Sequence, residues 1–282
     1  MKRAIAAVTA ALLGLAGCTS SGDGDDPAPT GSRTPATSAA VRAELRSAAE
    51  ATGRAGSARV EATTGVGDSL AMTSEGALAW HDGLTGTLTL TYTGGTLADT
   101  MRELGTESME ARYLPDAYYA RMGDAFAARA GGRHWVRYPW AELDRLGGTS
   151  GAAHLSEQLR GATPDRSVRF LLAAPAARVI GEERVRGIRT THYTATSQVS
   201  DLGDPALREQ LERTGVTTRT VDIWVDERDL VVKKAEKGRS ATGELTQTAY
   251  YDGYGTEVAV REPPAADTQD FKELLATQGT GR

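Results

Sequence analysis

Nine residues, Leu84-Thr85-Gly86-Thr87-Leu88-Thr89-Leu90-Thr91-Tyr92, repeat with a period of two. Leu84, Leu88, Leu90 and Tyr92 fall on one face and Thr85, Thr87, Thr89 and Thr91 on the other, the mark of a strand with one buried and one solvated side. The neighbouring segments extend it into an antiparallel meander. Ala58 to Thr64 and Leu70 to Trp80 read as strands, and His81-Asp82-Gly83 as the hairpin turn before Leu84. After a looser stretch around Gly94 to Ser108, strands resume at Met109 to Leu114, Tyr118 to Met122 and His134 to Tyr138, separated by Pro115-Asp116 and a Gly/Ala-rich loop. A second run follows at Ala177 to Glu182, Ile188 to Ser197, Thr218 to Asp226, Leu230 to Lys237 and Glu244 to Tyr251. Within it Val221, Ile223 and Val225 alternate with Asp222 and Trp224.

Helical spacing is confined to short pieces. Ala39 to Ala51 carries Val41, Leu45, Ala48 and Ala49 on one face, with Gly53 and Gly56 as stops. Further helices are expected near Gly151 to Arg160, Arg166 to Ala173 (with Pro164 near its start), Pro205 to Arg213 and Thr268 to Ala276. They are too amphipathic to stand alone and need the sheet as a partner.

The start of the chain speaks to location. Met1-Lys2-Arg3 is basic and Ala4 to Ala16 is apolar, too short to span a bilayer and without a second apolar run behind it. The segment ends at Leu15-Ala16-Gly17-Cys18, and Cys18 is the sole cysteine. This combination resembles a bacterial lipobox. The resemblance implies cleavage between Gly17 and Cys18, a diacylglyceryl group on the Cys18 sulfur and an acyl complement of the palmitate kind. Two acyl chains at roughly 0.8 kcal/mol per buried methylene give lasting membrane attachment where one does not. The mature protein is therefore expected to be extracytoplasmic, at the outer face of the cytoplasmic membrane if its source is an actinobacterium. The abundance of Ala, Gly, Arg and Thr suits such a GC-rich genome.

Behind the cysteine, the polar, Gly/Pro-rich stretch from Thr19 to about Thr37 cannot bury enough surface to fold. About 20 such residues span roughly 25 Å, enough to hold a domain just off the membrane. The expected organisation is a signal peptide over 1–17, a lipidated cysteine and flexible tether over 18–38, and a single domain over 39–282.

Charge and motifs narrow the chemistry. Removing Lys2 and Arg3 takes the formal charge from −5 to −7 and leaves no long basic run, so nucleic acid is not an expected partner. His81, His134, His154 and His192 are widely spaced and form no metal-ligand pattern. No G-x-S-x-G elbow occurs, and the carboxylates of Glu182-Glu183 and Asp226-Glu227 sit near turns, where solvation explains them. Arg133-His134-Trp135-Val136-Arg137-Tyr138-Pro139-Trp140 is the densest aromatic and basic cluster. It reads as a strand with its large residues buried and its arginines at the rim. No enzyme activity, cofactor or metal is expected.

The second half carries a family resemblance. The strand–turn–strand Gly181-Glu182-Glu183-Arg184-Val185-Arg186-Gly187-Ile188-Arg189-Thr190-Thr191-His192-Tyr193 is followed by Val221-Asp222-Ile223-Trp224-Val225-Asp226-Glu227-Arg228-Asp229-Leu230. The closing element is Tyr251-Asp252-Gly253-Tyr254-Gly255-Thr256-Glu257-Val258 with Pro263-Pro264. Their order and spacing resemble the actinobacterial LppX/LprAFG lipoproteins and, more distantly, the LolA/LolB carriers, over roughly Ala39 to Pro264. The resemblance implies an α+β fold: a strongly curved antiparallel sheet, a half-open β-barrel, with helices packed on its concave face. It also implies an apolar cavity between sheet and helices that binds and carries a lipid or glycolipid. Leu88, Leu90, Tyr118, Met122, Val221 and Ile223 are the candidate wall, although the same alternation describes a filled core equally well. An envelope sensor that docks a membrane protein is the alternative on the same scaffold, and an enzyme is a weaker third.

Overall fold

The period-two segments form β1 (Ser57–Val66), β2 (Leu70–Ala79), β3 (Thr85–Gly94), β4 (Ser108–Tyr113), β5 (Ala117–Arg121) and β6 (Trp135–Pro139). After the central helical stretch come β7 (Arg178–Val185), β8 (Ile188–Gln198), β9 (Val216–Asp226), β10 (Val231–Ser240), β11 (Gly243–Asp252) and β12 (Thr268–Asp270). Helices among the described residues include α1 (Ser38–Ala55), α2 (Thr96–Glu103), α3 (Asp124–Arg129), α4 (Trp140–Leu146), α5 (Asp165–Ala173) and α6 (Pro205–Arg213). The computed structural model describes residues 38–146, 163–213, 215–240 and 243–274. The leader, the tether and the helix expected near Gly151 to Arg160 lie outside these residues.

All twelve strands join one sheet in the order β12-β6-β5-β4-β3-β2-β1-β11-β10-β9-β8-β7. Neighbours are antiparallel except β12 and β6, which run parallel. The two outer strands do not meet, so the sheet is an open barrel of the α+β class, as expected. Its bend needs backbone without side chains. Gly76 of β2 adopts φ 152, and a Cβ there would lie 2.1 Å from the Thr87 carbonyl oxygen of β3. Glycine kinks of this kind let a sheet coil. Gly76→Ala is expected to cost about 1–3 kcal/mol through that clash and the strained φ. A urea-denaturation midpoint equal to that of the parent would refute this.

The described helices cover part of the concave face. α1 buries Val41, Leu45 and Ala48, runs through Gly53, and stops at Gly56, whose φ of 69 is the left-handed conformation that ends helices. Tyr193 of β8 donates to Glu44 (3.0 Å) and Arg42 to the Leu172 carbonyl (3.0 Å), which fixes α1 between the sheet and α5. α5 and α6 pack on β9. Asp204 starts α6 by accepting from the backbone N–H groups of Ala206 (3.0 Å) and Leu207 (3.1 Å), with Pro205 as first helical residue. Val221 and Ile223 lie in the same core as Val168, Phe170 and Leu211 of these helices.

The structure corrects three expectations. The Gly/Ala-rich loop expected between Met122 and His134 contains α3, which buries Ala127. The looser stretch between Gly94 and Ser108 contains α2, which buries Ala98 and Met101 at helical spacing. The expected helix from Thr268 to Ala276 instead begins as a strand, with helix only over 271–274 among the described residues. Edge pairing overrides local propensity there. Thr268, Gln269 and Asp270 pair with Trp135, Val136 and Arg137. Asp267 Oδ1 accepts from both the His134 backbone N–H (2.9 Å) and its Nδ1 (2.8 Å). Burial agrees with the expectation for the Arg133–Trp140 cluster: Trp135 is buried beside Ala117 and Tyr119, with Arg112 over its ring at 4.5 Å.

Candidate functional site

Strand register sorts the inward side chains of β11, β1, β2 and β3 into three layers. Nearest α2 are Gln247, Thr64, Met72 and Tyr92, each opposite the next across a strand pair. The middle layer is Ala249, Ala62, Ser74, Leu90 and Met109. In the deepest layer Val60 and Leu88 flank Gly76, and Tyr113 and Tyr118 close the end. Three small side chains side by side, Ala249, Ala62 and Ser74, leave room that no helix among the described residues fills. The layers enclose an apolar cavity of about 110 Å³.

The mouth lies at α2. The Thr96 N–H donates to the Asp68 carbonyl (3.2 Å) and the Leu97 N–H to that of Ser69 (3.0 Å), which seats the helix on the β1–β2 turn. Gly95 makes the approach possible: its φ is 88, and a Cβ would lie 2.6 Å from the Ser69 and Leu70 backbone. Leu97 is part of the cavity wall and 41 % exposed, so at that side chain the cavity reaches the surface. Two methionines, Met72 and Met109, stand in the wall, and Met101 is buried on α2. At the closed end Tyr118 packs edge-on to Tyr113 at 5.2 Å and tilted to Tyr138 at 5.8 Å. Burial raises all three hydroxyls, Tyr138 to about 12, so they stay protonated and uncharged.

Of the candidate wall residues, Leu88, Leu90 and Tyr118 line this cavity. Val221 and Ile223 face the same concave side but are fully buried with α5 and α6, and Met122 packs at the core margin. Sequence reasoning passed over Thr64, Gln247 and Leu97. The period of β1 carried the signal for Thr64, whereas Leu97 belongs to the helix it did not expect.

No protein-family model matches the chain. A Streptomyces coelicolor protein whose name marks it as a candidate lipoprotein is 54 % identical over 289 residues, covering 97 % of this chain and 95 % of its own. An uncharacterised 31.2 kDa protein of Streptomyces griseus, encoded between rplA and rplJ, is 46 % identical over 248 residues, 84 % of this chain and 81 % of its own. The chain belongs to this Streptomyces lipoprotein family. Among solved structures, the Mycobacterium tuberculosis lipoprotein LppX superposes with a TM-score of 0.51 at 16 % identity, covering 80 % of this chain and 100 % of LppX. LprF from Mycobacterium bovis gives 0.48 at 13 % identity, with 81 % and 99 % covered. At that identity the likeness to LppX is one of fold.

The motifs that carried the resemblance prove to be architectural in this family member. Val185-Arg186-Gly187-Ile188 is a two-residue hairpin with φ 48 and 85 at its centre, where Arg186 bonds Glu61 at 2.6 Å and lies over the Tyr250 ring at 3.9 Å. Asp226 Oδ1 accepts from the N–H groups of Arg228 and Leu230, both at 2.9 Å, and so builds the β9–β10 turn. His192 stacks on Trp224 at 4.2 Å, with its ring nitrogens against Glu183 (2.7 Å) and Asp222 (2.8 Å). Among the described residues, no three His, Cys, Asp or Glu side chains converge as metal ligands. A groove of about 270 Å³ on the convex face is lined by threonines with Glu61, Glu75 and Arg186, a surface too polar for an acyl chain.

Proposed function

We propose that this protein is a lipid-anchored envelope protein, attached through Cys18 behind Leu15-Ala16-Gly17, that binds an apolar chain of a lipid or glycolipid on its concave face. The observation that carries the reading is the apolar cavity opening beside Leu97. Burial of methylenes would supply the affinity, and no chemistry is asked of the protein. Anchor and tether would confine it to the outer face of the cytoplasmic membrane and raise its encounter rate with envelope lipids.

Magnitudes set a condition on this reading. A dry cavity of about 150 Å³ takes one benzene, so a space of about 110 Å³ takes fewer than about six carbons. Five methylenes at ~0.8 kcal/mol give about 4 kcal/mol, a millimolar affinity, whereas micromolar binding needs about ten. The wall must therefore open. Met72 and Met109, unbranched and adaptable, are the residues that would move, together with α2. The small closed volume also favours the second reading, an envelope sensor or interaction module whose core stays filled.

Native mass spectrometry of a Cys18→Ser protein secreted by a Streptomyces host separates the two, because removing the anchor prevents its acyl chains from being mistaken for cargo. The carrier reading expects one non-covalent lipid per protein. An apo mass that persists after incubation with extracted envelope lipids would overturn it in favour of the interaction module.

A further inference from the structure

Resting on the lipid-binding reading, we infer that the ligand is an amphiphile with an uncharged, hydrogen-bonding head, an ester or alcohol, inserted tail first with that head held at the cavity mouth by Thr64 and Gln247. The ordering of the layers carries this. The deep layer offers Val60 and Leu88 and a closed tyrosine end, and the middle layer is apolar apart from the Ser74 hydroxyl. Polar side chains collect in the layer beside Leu97, where water and membrane are within reach. A head inserted first would meet the Tyr113 and Tyr118 hydroxyls, but its tail would then cover Thr64 and Gln247 and leave their polar groups unpaired, whereas tail-first entry pairs them.

The mouth also selects the head. Among the described residues, none that lines the cavity is charged. The nearest cations are Lys234, opposite Ala249 on the neighbouring strand, and Arg219, and both are paired with Glu236. A carboxylate or phosphate drawn in would lose hydration and compete with Glu236 for them, a cost a neutral head avoids. Thr64 and Gln247 are cross-strand partners, joined by one long hydrogen bond of 3.4 Å from Gln247 Nε2 to Thr64 Oγ1. That leaves the Thr64 hydroxyl proton, the second Gln247 N–H and the Gln247 carbonyl without partners among the described residues. Two donors and an acceptor fit an ester carbonyl and an adjoining hydroxyl, the pattern of an acylglycerol or a glycosyl ester. Thr64 is buried, so its spare hydroxyl proton faces the cavity and not bulk solvent.

Displacement of the neutral dye N-phenyl-1-naphthylamine tests this with two ligands of equal chain length, 1-monolauroylglycerol and sodium laurate, at pH 8 and below micellar concentrations. The wild-type protein is expected to release the dye at an at least tenfold lower concentration of the glycerol ester than of laurate. In Thr64→Val/Gln247→Leu the ratio should fall to within about threefold, through weaker binding of the ester alone. The near-isosteric Thr64→Val, should the double variant not fold, is expected to lose part of the ratio. Equal or better binding of laurate by the wild type, or a ratio unchanged in the folded variants, overturns the inference while leaving lipid binding intact. Failure of the wild type to bind dye and both lipids would instead overturn the lipid-binding reading itself.

Discussion

Glu236→Gln is expected to destabilise the protein by about 3–5 kcal/mol, the cost of removing one partner from a buried ion cluster. Glu236 and Lys234 sit on β10 facing the concave side; Lys234 is 0 % exposed and Glu236 is buried. Glu236 Oε1 accepts from the Ser167 hydroxyl of α5 (2.5 Å) and lies 3.3 Å from Lys234 Nζ, while Oε2 pairs with Arg219 of β9. The cluster ties two strands to α5 in a region otherwise apolar. A glutamine keeps an acceptor but withdraws the negative charge that Arg219 and Lys234 share. Urea denaturation reads the effect, and a loss below about 1 kcal/mol would show that the cluster contributes little.

The same carboxylate sets an acid limit. Burial by itself pushes Glu236 up, but the Arg219 guanidinium, the Lys234 ammonium and the Ser167 hydroxyl together hold it well below the usual carboxylate range. A group lowered on folding stabilises above its unfolded value, about 4.3 for glutamate, and that stability is lost as the pH falls further. Stability should thus fall with acidification below about pH 4.5, and Glu236→Gln should flatten this part of the profile. Burial lowers Lys234, partly offset by Glu236, so this lysine stays charged most firmly while the carboxylate is ionised.

Ala62→Leu is expected to weaken lipid binding about 50-fold while leaving the fold as stable or more so. Ala62 stands in the middle layer between Ala249 and Ser74, where the cavity owes its room to small side chains. Leucine adds three carbons, up to about 2.4 kcal/mol of burial if the space accepts them without strain. A chain that loses three methylenes of contact binds about 50-fold more weakly by the same measure. Thr73→Leu, one strand over on the convex face, should leave binding unchanged. The pair is read by dye displacement and by thermal melting. Wild-type affinity in Ala62→Leu would place the ligand elsewhere.

Much of the fold was legible because its signals are local. The two-faced run at Leu84 to Tyr92 became β3, and the proline and helix formers of Pro205 to Arg213 became α6 with Asp204 as its cap. Of the elements that escaped, α2 and β12 did so for opposite reasons. α2 is short, and its entry depends on Gly95 approaching the β1–β2 turn, a contact between segments 25 residues apart. The helix-forming Phe271-Lys272-Glu273-Leu274 masked the strand before it, which exists because β6 offers an unpaired edge and His134 holds Asp267.

For the cavity the division is sharper. Leu90 and Val221 carry the same kind of alternation, and the sequence by itself determined that both face inward, because the period of a strand depends only on its own residues. Which of them meets a void was decided by the tertiary structure. α5 and α6 lie over β9 and bury Val221 in packed core, while the row through Ala249, Ala62 and Ser74 to Leu90 borders the cavity, with no helix above it among the described residues. Coverage of a face depends on elements far away in the chain, and no local period encodes it.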